Sequence, residues 1–211
     1  NSFDVVMANA EALMACKAPK KAQEVLRRFS PAMGYQQRAW LLMYWRSASA
    51  ALDHFNAALA LRRLVNGNIS QLESEELTVE PGVEGASIKR NALDILANHE
   101  QSIGNYESAA VVLLSGTSRG VKGARRMKRV VMLVKDLASD QRRDLLEKAF
   151  TQAENKEAWG LALDILRIQL EFEIAEGGEV SQLRKRLESL ASRTDDRYTL
   201  LKLMNDVEKR N

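Results

Sequence analysis

The stretch that decides the fold runs from Tyr35 to Val65 and reads YQQRAWLLMYWRSASAALDHFNAALALRRLV. It holds five of the twelve aromatic residues of the chain and contains neither proline nor glycine. Before Asp53 its apolar residues recur at helical spacing on two sides of the segment. A helix that is apolar on two sides lies between neighbouring helices. We therefore predict two helices that meet near Asp53 and His54, with the rest of the chain packed around them.

The composition favours helices throughout. Of 211 residues, 45% are apolar and 28% are charged, and only three prolines and eleven glycines interrupt the helix formers. The net charge of +3 is too small by itself to indicate a nucleic-acid partner. A single cysteine, Cys16, excludes an intramolecular disulfide and a multi-cysteine zinc site. Its position within a helical apolar pattern predicts a buried structural thiol.

Helical spacing continues on both sides of the opening stretch. Residues 157–176 form a second segment that is apolar on two sides. Ser87 is expected to cap a helix that runs to Ile103. The pattern predicts about ten helices and shows no strand-like alternation. The predicted fold class is therefore all-α, with one helical-repeat domain over residues 1–211.

An acidic segment, residues 66–86, interrupts the helical pattern. It contains five glutamates and no basic residue. A connection of this length inside a compact domain is unusual, and it is either functional or mobile. We predict a solvated acidic loop, with a possible division of the chain into residues 1–66 and 87–211 around it.

A weak internal repeat is visible in three passages. Each has an aromatic residue at the start of a helix and an alanine three positions later: Phe55 and Ala58, Tyr106 and Ala109, and Trp159 and Ala162. The small alanine lets the preceding helix approach closely, and the ring is expected to fill the gap at the turn. Residues 18–22 look like a fourth, degraded copy. Short antiparallel helix pairs of this kind stack into solenoids.

Residues 92–114 resemble a tetratricopeptide repeat. The resemblance rests on Ala97 in the first helix, Gly104-Asn105-Tyr106 at the turn and Ala109 in the second helix. It implies a right-handed superhelix of stacked helix hairpins, with a concave groove that binds peptides or proteins. The passages are about fifty residues apart, whereas the family repeats every thirty-four residues or so. The family's later alanine falls at Gly116, and the alternative is an irregular helical bundle.

The motifs of catalysis and metal binding are incomplete in this chain. The two histidines, His54 and His99, lie in no metal-ligand pattern. Residues 116–123 match G-x-S-x-G at Ser118, but no strand is predicted before it and no histidine follows it, as a nucleophile elbow would need. The same residues lack the spacing of a phosphate-binding loop. We predict no catalytic, cofactor-binding or metal-binding residue and a non-enzymatic function.

A basic segment, residues 119–135, contains seven basic residues and no acidic one. Helical spacing places four of them on one face: Lys122, Arg125, Arg126 and Arg129. Together with Arg119, the first residue of the segment, they form the predicted partner-binding set. Such a face suits an acidic peptide, a phosphate backbone or a membrane surface. The alternative is a solvated face, or one paired with the acidic segment. No aromatic residue interleaves these bases, which argues against a platform that stacks single-stranded bases.

The leading hypothesis is an adaptor or regulatory module that binds a protein or peptide, with an acidic partner if the basic segment takes part. One alternative is a helical protein that binds nucleic acid through residues 119–135, and another is a helical domain of a larger enzyme. No apolar run approaches the roughly 18–20 residues needed to span a bilayer. Because the chain begins at Asn1 rather than at methionine, it gives no evidence on targeting, and the cytoplasm is the default expectation.

Overall fold

The computed structural model describes residues 2–29, 34–79 and 88–208. Within these ranges the chain is mostly helical, so the predicted all-α class is confirmed. The α-helices are α1 (Phe3–Ala15), α2 (Pro19–Arg27), α3 (Tyr35–Ala50), α4 (His54–Leu64), α5 (Ala92–Ser102), α6 (Tyr106–Leu114), α7 (Gly120–Leu133), α8 (Ser139–Glu154), α9 (Trp159–Glu176), α10 (Ser181–Arg193) and α11 (Arg197–Glu208). A short 3-10 helix (Ile69–Ser74) and two strands, β1 (Glu76–Val79) and β2 (Ile88–Asn91), complete the described elements.

The chain forms two compact units, Asn1–Thr117 and Ser118–Asn211. The first unit contains α1 to α6 and the two strands, and the second contains α7 to α11. The boundary between the units follows α6, whereas the acidic segment belongs to the first unit. Ten of the helices form five hairpins of two packed helices each: α1/α2, α3/α4, α5/α6, α8/α9 and α10/α11, named here the first to fifth hairpins.

The first unit is built around α3, as the opening stretch predicts. Trp40, Tyr44 and Trp45 are buried on it, and α3 packs against α1, α2 and α4. The rings of Trp40 and Tyr44 stack in parallel with their centroids 5.0 Å apart. The indole N–H of Trp40 donates to the Leu26 carbonyl at 3.0 Å, which satisfies this polar group within the core. Helix α3 therefore lies between neighbouring helices, as its apolar residues on two sides predicted.

The second unit has its own core, centred on the long helix α9. Leu163, Ile165, Leu166 and Leu170 are buried on α9, and they join a hydrophobic cluster with residues of α7, α8 and α10. This agrees with the two-sided apolar pattern of residues 157–176. Cys16 contradicts its prediction: it is exposed, because α1 ends before it and it forms part of the turn to α2.

The acidic segment is partly ordered secondary structure, so the prediction of a solvated loop is wrong for its described part. Leu72 and Leu77 are buried. Glu75 accepts two hydrogen bonds from the Arg38 guanidinium, at 2.9 and 2.8 Å. Glu73 accepts a hydrogen bond from the Thr117 hydroxyl at 3.0 Å. These glutamates thus stabilise the first unit, and residues 80–86 of the segment lie outside the described residues.

The helix predicted from Ser87 to Ile103 begins later than expected. Residues Ile88–Asn91 are extended and pair in antiparallel register with β1, so that Val79 faces Ile88 across the ribbon. Helix α5 begins at Ala92 with Asn91 as its N-cap. The Asn91 side-chain amide donates to the Glu73 carbonyl at 2.7 Å, which fixes the cap to the 3-10 helix. The helical spacing of residues 88–96 is thus overridden where residues 88–91 pair with β1. Ser87, the predicted cap, lies outside the described residues.

Five described turns within the hairpins share one backbone geometry. Each contains a residue with positive φ: Lys17, Leu52, Gly104, Glu157 and Asp195. The next residue, named here the junction residue, donates its N–H to the carbonyl five positions back, at 2.8–2.9 Å: Ala18, Asp53, Asn105, Ala158 and Asp196. This is the hydrogen bond of a Schellman motif, which closes the first helix. The second helix begins immediately after the junction residue, so one turn ends one helix and starts the next.

Candidate interaction surfaces

The junction residues give a common reference point for comparing the hairpins. Four positions after the junction residue, four hairpins carry a fully buried alanine: Ala22, Ala57, Ala109 and Ala162. The predicted alanines Ala109 and Ala162 are therefore in place, and Ala97 on the first helix of the third hairpin is also fully buried. Gly104 takes the positive φ of the turn.

In the second hairpin the predicted register is wrong by one residue. Asp53 caps α4, accepting a hydrogen bond from the Asn56 N–H at 3.2 Å, so the helix starts at His54. His54 thus takes the position that Tyr106 and Trp159 hold in their hairpins. Ala57 takes the alanine position, although Ala58 is buried as well.

The aromatic rings do not all fill the gap at the turn. Phe55 is 64% exposed and Tyr106 is 50% exposed, so the packing role predicted for these two rings is wrong. Trp159 is partly buried, and the Arg193 guanidinium lies over its ring at 4.4 Å. Together with Leu163 and Asp196, these two residues line an open cleft of about 550 Å³ at the turns of the fourth and fifth hairpins.

An arginine ties each of three hairpins to the turn of the next. Nine positions after the junction residue stand Arg27, Arg62 and Arg167 in the first, second and fourth hairpins. Arg27 approaches the Asp53 carboxylate at 3.5 Å, and Arg167 binds the Asp196 carboxylate. Both acceptors are junction residues of the following hairpin. The sequence contains this signal, an arginine followed by an acidic junction residue 26 or 29 positions later, but sequence reasoning missed it.

The carboxyl groups that these arginines reach have lowered pKa values. Burial alone would raise the pKa of Asp53, but hydrogen bonds from Gln23 and Asn56, with the nearby Arg27, lower this pKa below its usual value. For Asp196, the hydrogen bonds from Thr199 lower the pKa against a smaller effect of burial, and Arg167 adds to the lowering. Both carboxylates are therefore held in their charged form at the hairpin turns.

The second and third hairpins are tied through a buried carboxylate. Glu100 on α5 is 4% exposed and accepts two hydrogen bonds from Arg62, one of them from Nε at 3.0 Å. The other Glu100 oxygen accepts from the side chain of the junction residue Asn105 at 3.2 Å. Arg62 also donates to the Ser108 hydroxyl at 2.9 Å, which links α4 to α6. Hydrogen bonds from one charged side chain thus link α4 to both helices of the third hairpin.

Six exposed apolar side chains lie on α4, on α6 and in the turn before α4. We name the unit-1 apolar face by its six members: Leu52, Phe55, Leu59, Tyr106, Val111 and Leu114. Leu59 and Val111 occupy the same position in their hairpins, six residues after the junction residue, and Val111 is 65% exposed. A pocket of about 250 Å³ adjoins this face at Leu52, where Trp45, Arg46 and Val79 also line it.

The basic segment does not form one exposed face. Arg119 and Arg125 are exposed and Lys122 is half-buried, whereas Arg126 is 5% exposed. Helix α7 buries Gly123, Arg126 and Val130, which recur at helical spacing and therefore share a side. Arg126 and the half-buried Arg129 both interact with other groups of the protein.

Three residues of the predicted basic set remain available at the surface. Arg119, Lys122 and Arg125 make no ion pair with any residue that the structure describes. Lys128, on the same helix, pairs with Asp164 at 3.6 Å. Binding of a partner by Arg119, Lys122 and Arg125 stays a prediction.

The two histidines, which the sequence placed in no motif, meet in the first unit. The Trp45 indole N–H and His99 Nε2 are 3.1 Å apart, and His99 Nδ1 and His54 Nδ1 are 3.0 Å apart. Burial is the larger cause and the neighbouring His54 the smaller cause that together lower the pKa of His99 to about 4. Across the described ranges, no group of three or more His, Cys, Asp or Glu side chains is arranged to hold a metal ion.

No family model matches the chain, and no curated protein matches it. The class of the protein therefore rests on its structure: an α-helical protein of consecutive helix hairpins in two compact units. The resemblance to tetratricopeptide repeats stays a prediction. Among the described residues, no helix combines the length and the apolar character that crossing a bilayer requires.

Proposed function

We propose that the chain is a non-enzymatic adaptor or regulatory module that binds another protein through the unit-1 apolar face. The observation that carries the proposal is the exposure of Phe55, Leu59 and Val111 on two helices that a hydrogen bond from Arg62 links. A surface that is already ordered loses little conformational entropy on binding, which favours affinity. Exposed aromatic and aliphatic side chains supply the anchors that dominate protein interfaces.

The same proposal includes a tetratricopeptide-like stacking of the hairpins. In support, the positive-φ residue Leu52 follows Lys17 by 35 positions, and Asp195 follows Glu157 by 38. Both spacings are near the roughly 34 residues of that family. The two longer spacings contain added elements: the β1/β2 ribbon lies between Leu52 and Gly104, and α7 lies between Gly104 and Glu157. The hairpin unit is thus more regular than the aromatic residues suggested.

The proposal is tested by comparing three immobilised forms of the full chain in native lysate treated with nuclease. The face variant carries Phe55→Asp and Val111→Asp. The matched control carries Met132→Asp and Tyr198→Asp, which replace exposed apolar residues of the second unit. One protein should bind the wild type and the control but not the face variant. Purified, that protein should bind the face variant at least tenfold more weakly, the loss typical of removing an interface anchor. Equal binding by all three forms contradicts the proposal.

A second candidate partner is an acidic protein or a nucleic acid at Arg119, Lys122 and Arg125. The exposure of these cations and their lack of ion pairs among the described residues favour it. Changing all three to glutamate should abolish this binding, and a nucleic-acid complex should also weaken steeply with added salt. If the glutamate variant binds as the wild type does, the basic surface takes no part. Arg126 is left unchanged in this variant because it is buried.

A further inference from the structure

A line of three rings crosses the first unit where three helices meet. Trp45 belongs to α3, His54 is the first residue of α4, and His99 lies on α5. Trp45 and His99 are both buried. We name these three residues the ring relay. It connects the second hairpin, α3/α4, to the first helix of the third hairpin.

The hydrogen-bonding chemistry of the three rings determines where their protons lie. An indole N–H can only donate, so His99 Nε2 must accept from Trp45 and carries no proton. The neutral His99 ring therefore carries its proton on Nδ1 and donates it to His54 Nδ1. His54 in turn carries its proton on Nε2. Each ring nitrogen that takes part in these hydrogen bonds is either a donor or an acceptor. This assignment of donors and acceptors is possible only when both imidazoles are neutral.

The charged group beside the relay does not compensate for the burial of an added proton. The group that α3 places beside His99 is the uncharged Trp45, and the group that α4 places beside it is His54. On α5, Glu100 is adjacent to His99 and raises its pKa, but this carboxylate already accepts two hydrogen bonds from Arg62. Burial and His54 outweigh Glu100, and the pKa of His99 falls to about 4.

We propose that the ring relay is an acid-sensitive joint between the second and third hairpins. A proton added to His99 at Nε2 opposes the Trp45 N–H. The hydrogen bond between these two rings then breaks, and α5 loosens from the α3/α4 hairpin. Once the joint is open, the imidazole of His99 is in water and binds the proton with its ordinary affinity.

The expected size follows from linkage. His99 titrates near pH 6.5 in water and near pH 4 in the closed joint, so the open form binds more protons between these values. The free energy that favours the closed form is greatest above pH 6.5. It decreases as the pH falls toward 4 and changes little below pH 4. Between pH 7 and pH 5 the open fraction should increase about 20-fold, and by pH 4 the total gain should reach about 120-fold.

The test measures amide hydrogen exchange of the full chain by NMR at pH 7 and pH 5, corrected for the intrinsic exchange rates. In the wild type, protection of the α5 amides should fall about 20-fold, while amides of α8 and α9 in the second unit provide the internal reference. The matched control is His99→Gln, whose amide still accepts from Trp45 and donates to His54 but does not titrate. Its α5 protection should stay constant within twofold. An unchanged wild type, or an equal fall in the control, overturns the proposal.

A second measurement does not depend on any variant. Nitrogen-15 shifts of the histidine rings report which nitrogen carries the proton. At pH 7 the relay requires a protonated Nδ1 and a bare Nε2 on His99, and the opposite assignment on His54. The reverse tautomer on His99 would leave the Trp45 N–H without an acceptor, and it would overturn the proposal.

Discussion

Replacing Arg62 by methionine should destabilise the first unit by about 3 kcal/mol, because it leaves the Glu100 carboxylate buried without its cation. The Glu100 side chain is 6% exposed, and Arg62 supplies two of its hydrogen bonds. Removing one partner of a buried ion pair costs about 3–5 kcal/mol in other proteins. We expect the lower end of this range, because Asn105 still donates to Glu100 and because the Arg62 side chain is 31% exposed.

Amide hydrogen exchange in α5 measures this loss within the first unit alone, which matters because the chain has two compact units. A loss of about 3 kcal/mol corresponds to roughly 100-fold faster exchange, at 1.36 kcal/mol per factor of ten. The control is Arg63→Met at the next position, where the guanidinium lies 5.8 Å from the Trp40 ring. An exposed contact of this kind is worth about 0.5–1 kcal/mol, so the control should change little.

The double variant Arg62→Met with Glu100→Leu separates the buried charge from ordinary packing. Replacing both members of a buried ion pair by apolar residues of similar volume is often neutral or stabilising. The double variant should therefore recover most of the stability that Arg62→Met loses. If its loss equals the sum of the two single losses, the charges are not coupled and the reasoning is refuted.

Three further predictions concern the turns and the buried groups. Leu52→Gly should stabilise the chain by about 1 kcal/mol, because Leu52 has a φ of 58°, which costs about 1–2 kcal/mol for an L-residue. Thermal unfolding measures this gain, and an unchanged or lower Tm would show that the turn is not strained. Gly123→Ala should destabilise the second unit by about 1–3 kcal/mol in urea unfolding, because a Cβ there would lie 2.5 Å from the Ser118 carbonyl oxygen; wild-type stability would mean that α7 shifts freely. The free energy of unfolding should fall by about 2.5 kcal/mol as the pH drops from 6.5 to 4 through the low pKa of His99, and the His99→Gln variant should lack this component of the pH profile.

Local signals predicted the helices well. Caps and apolar spacing act within one or two turns of chain, so the break at Asp53 and the two-sided helices α3 and α9 were visible without any fold. The exceptions are equally physical. Residues 88–91 have apolar spacing that suits a helix, but they pair with β1 instead. In the second hairpin the Asp53 cap determines where α4 starts, so His54 rather than Phe55 is the first residue of that helix.

The candidate surfaces were harder to predict. Helical spacing gave the direction of each basic side chain around α7, but not which directions other helices cover. Arg126 was therefore placed with the exposed cations, although it is buried. The unit-1 apolar face was not predicted at all, since periodicity assigns apolar residues to the core by default. Only the packed hairpins show that Phe55 and Val111 remain in solvent.

Sequence alone was sufficient for the all-α class and the two cores, because these depend on periodicity and on residues close together along the chain. Tertiary structure decided everything that joins distant positions: Arg62 with Glu100, 38 residues apart, and Trp45 with His99, 54 residues apart. Hydrogen bonds of this kind leave no periodic pattern, since each needs one donor and one acceptor brought together by the packing of several helices. The buried polar contacts on which the acid-sensitive joint and the hairpin ties depend are therefore properties of the assembled fold.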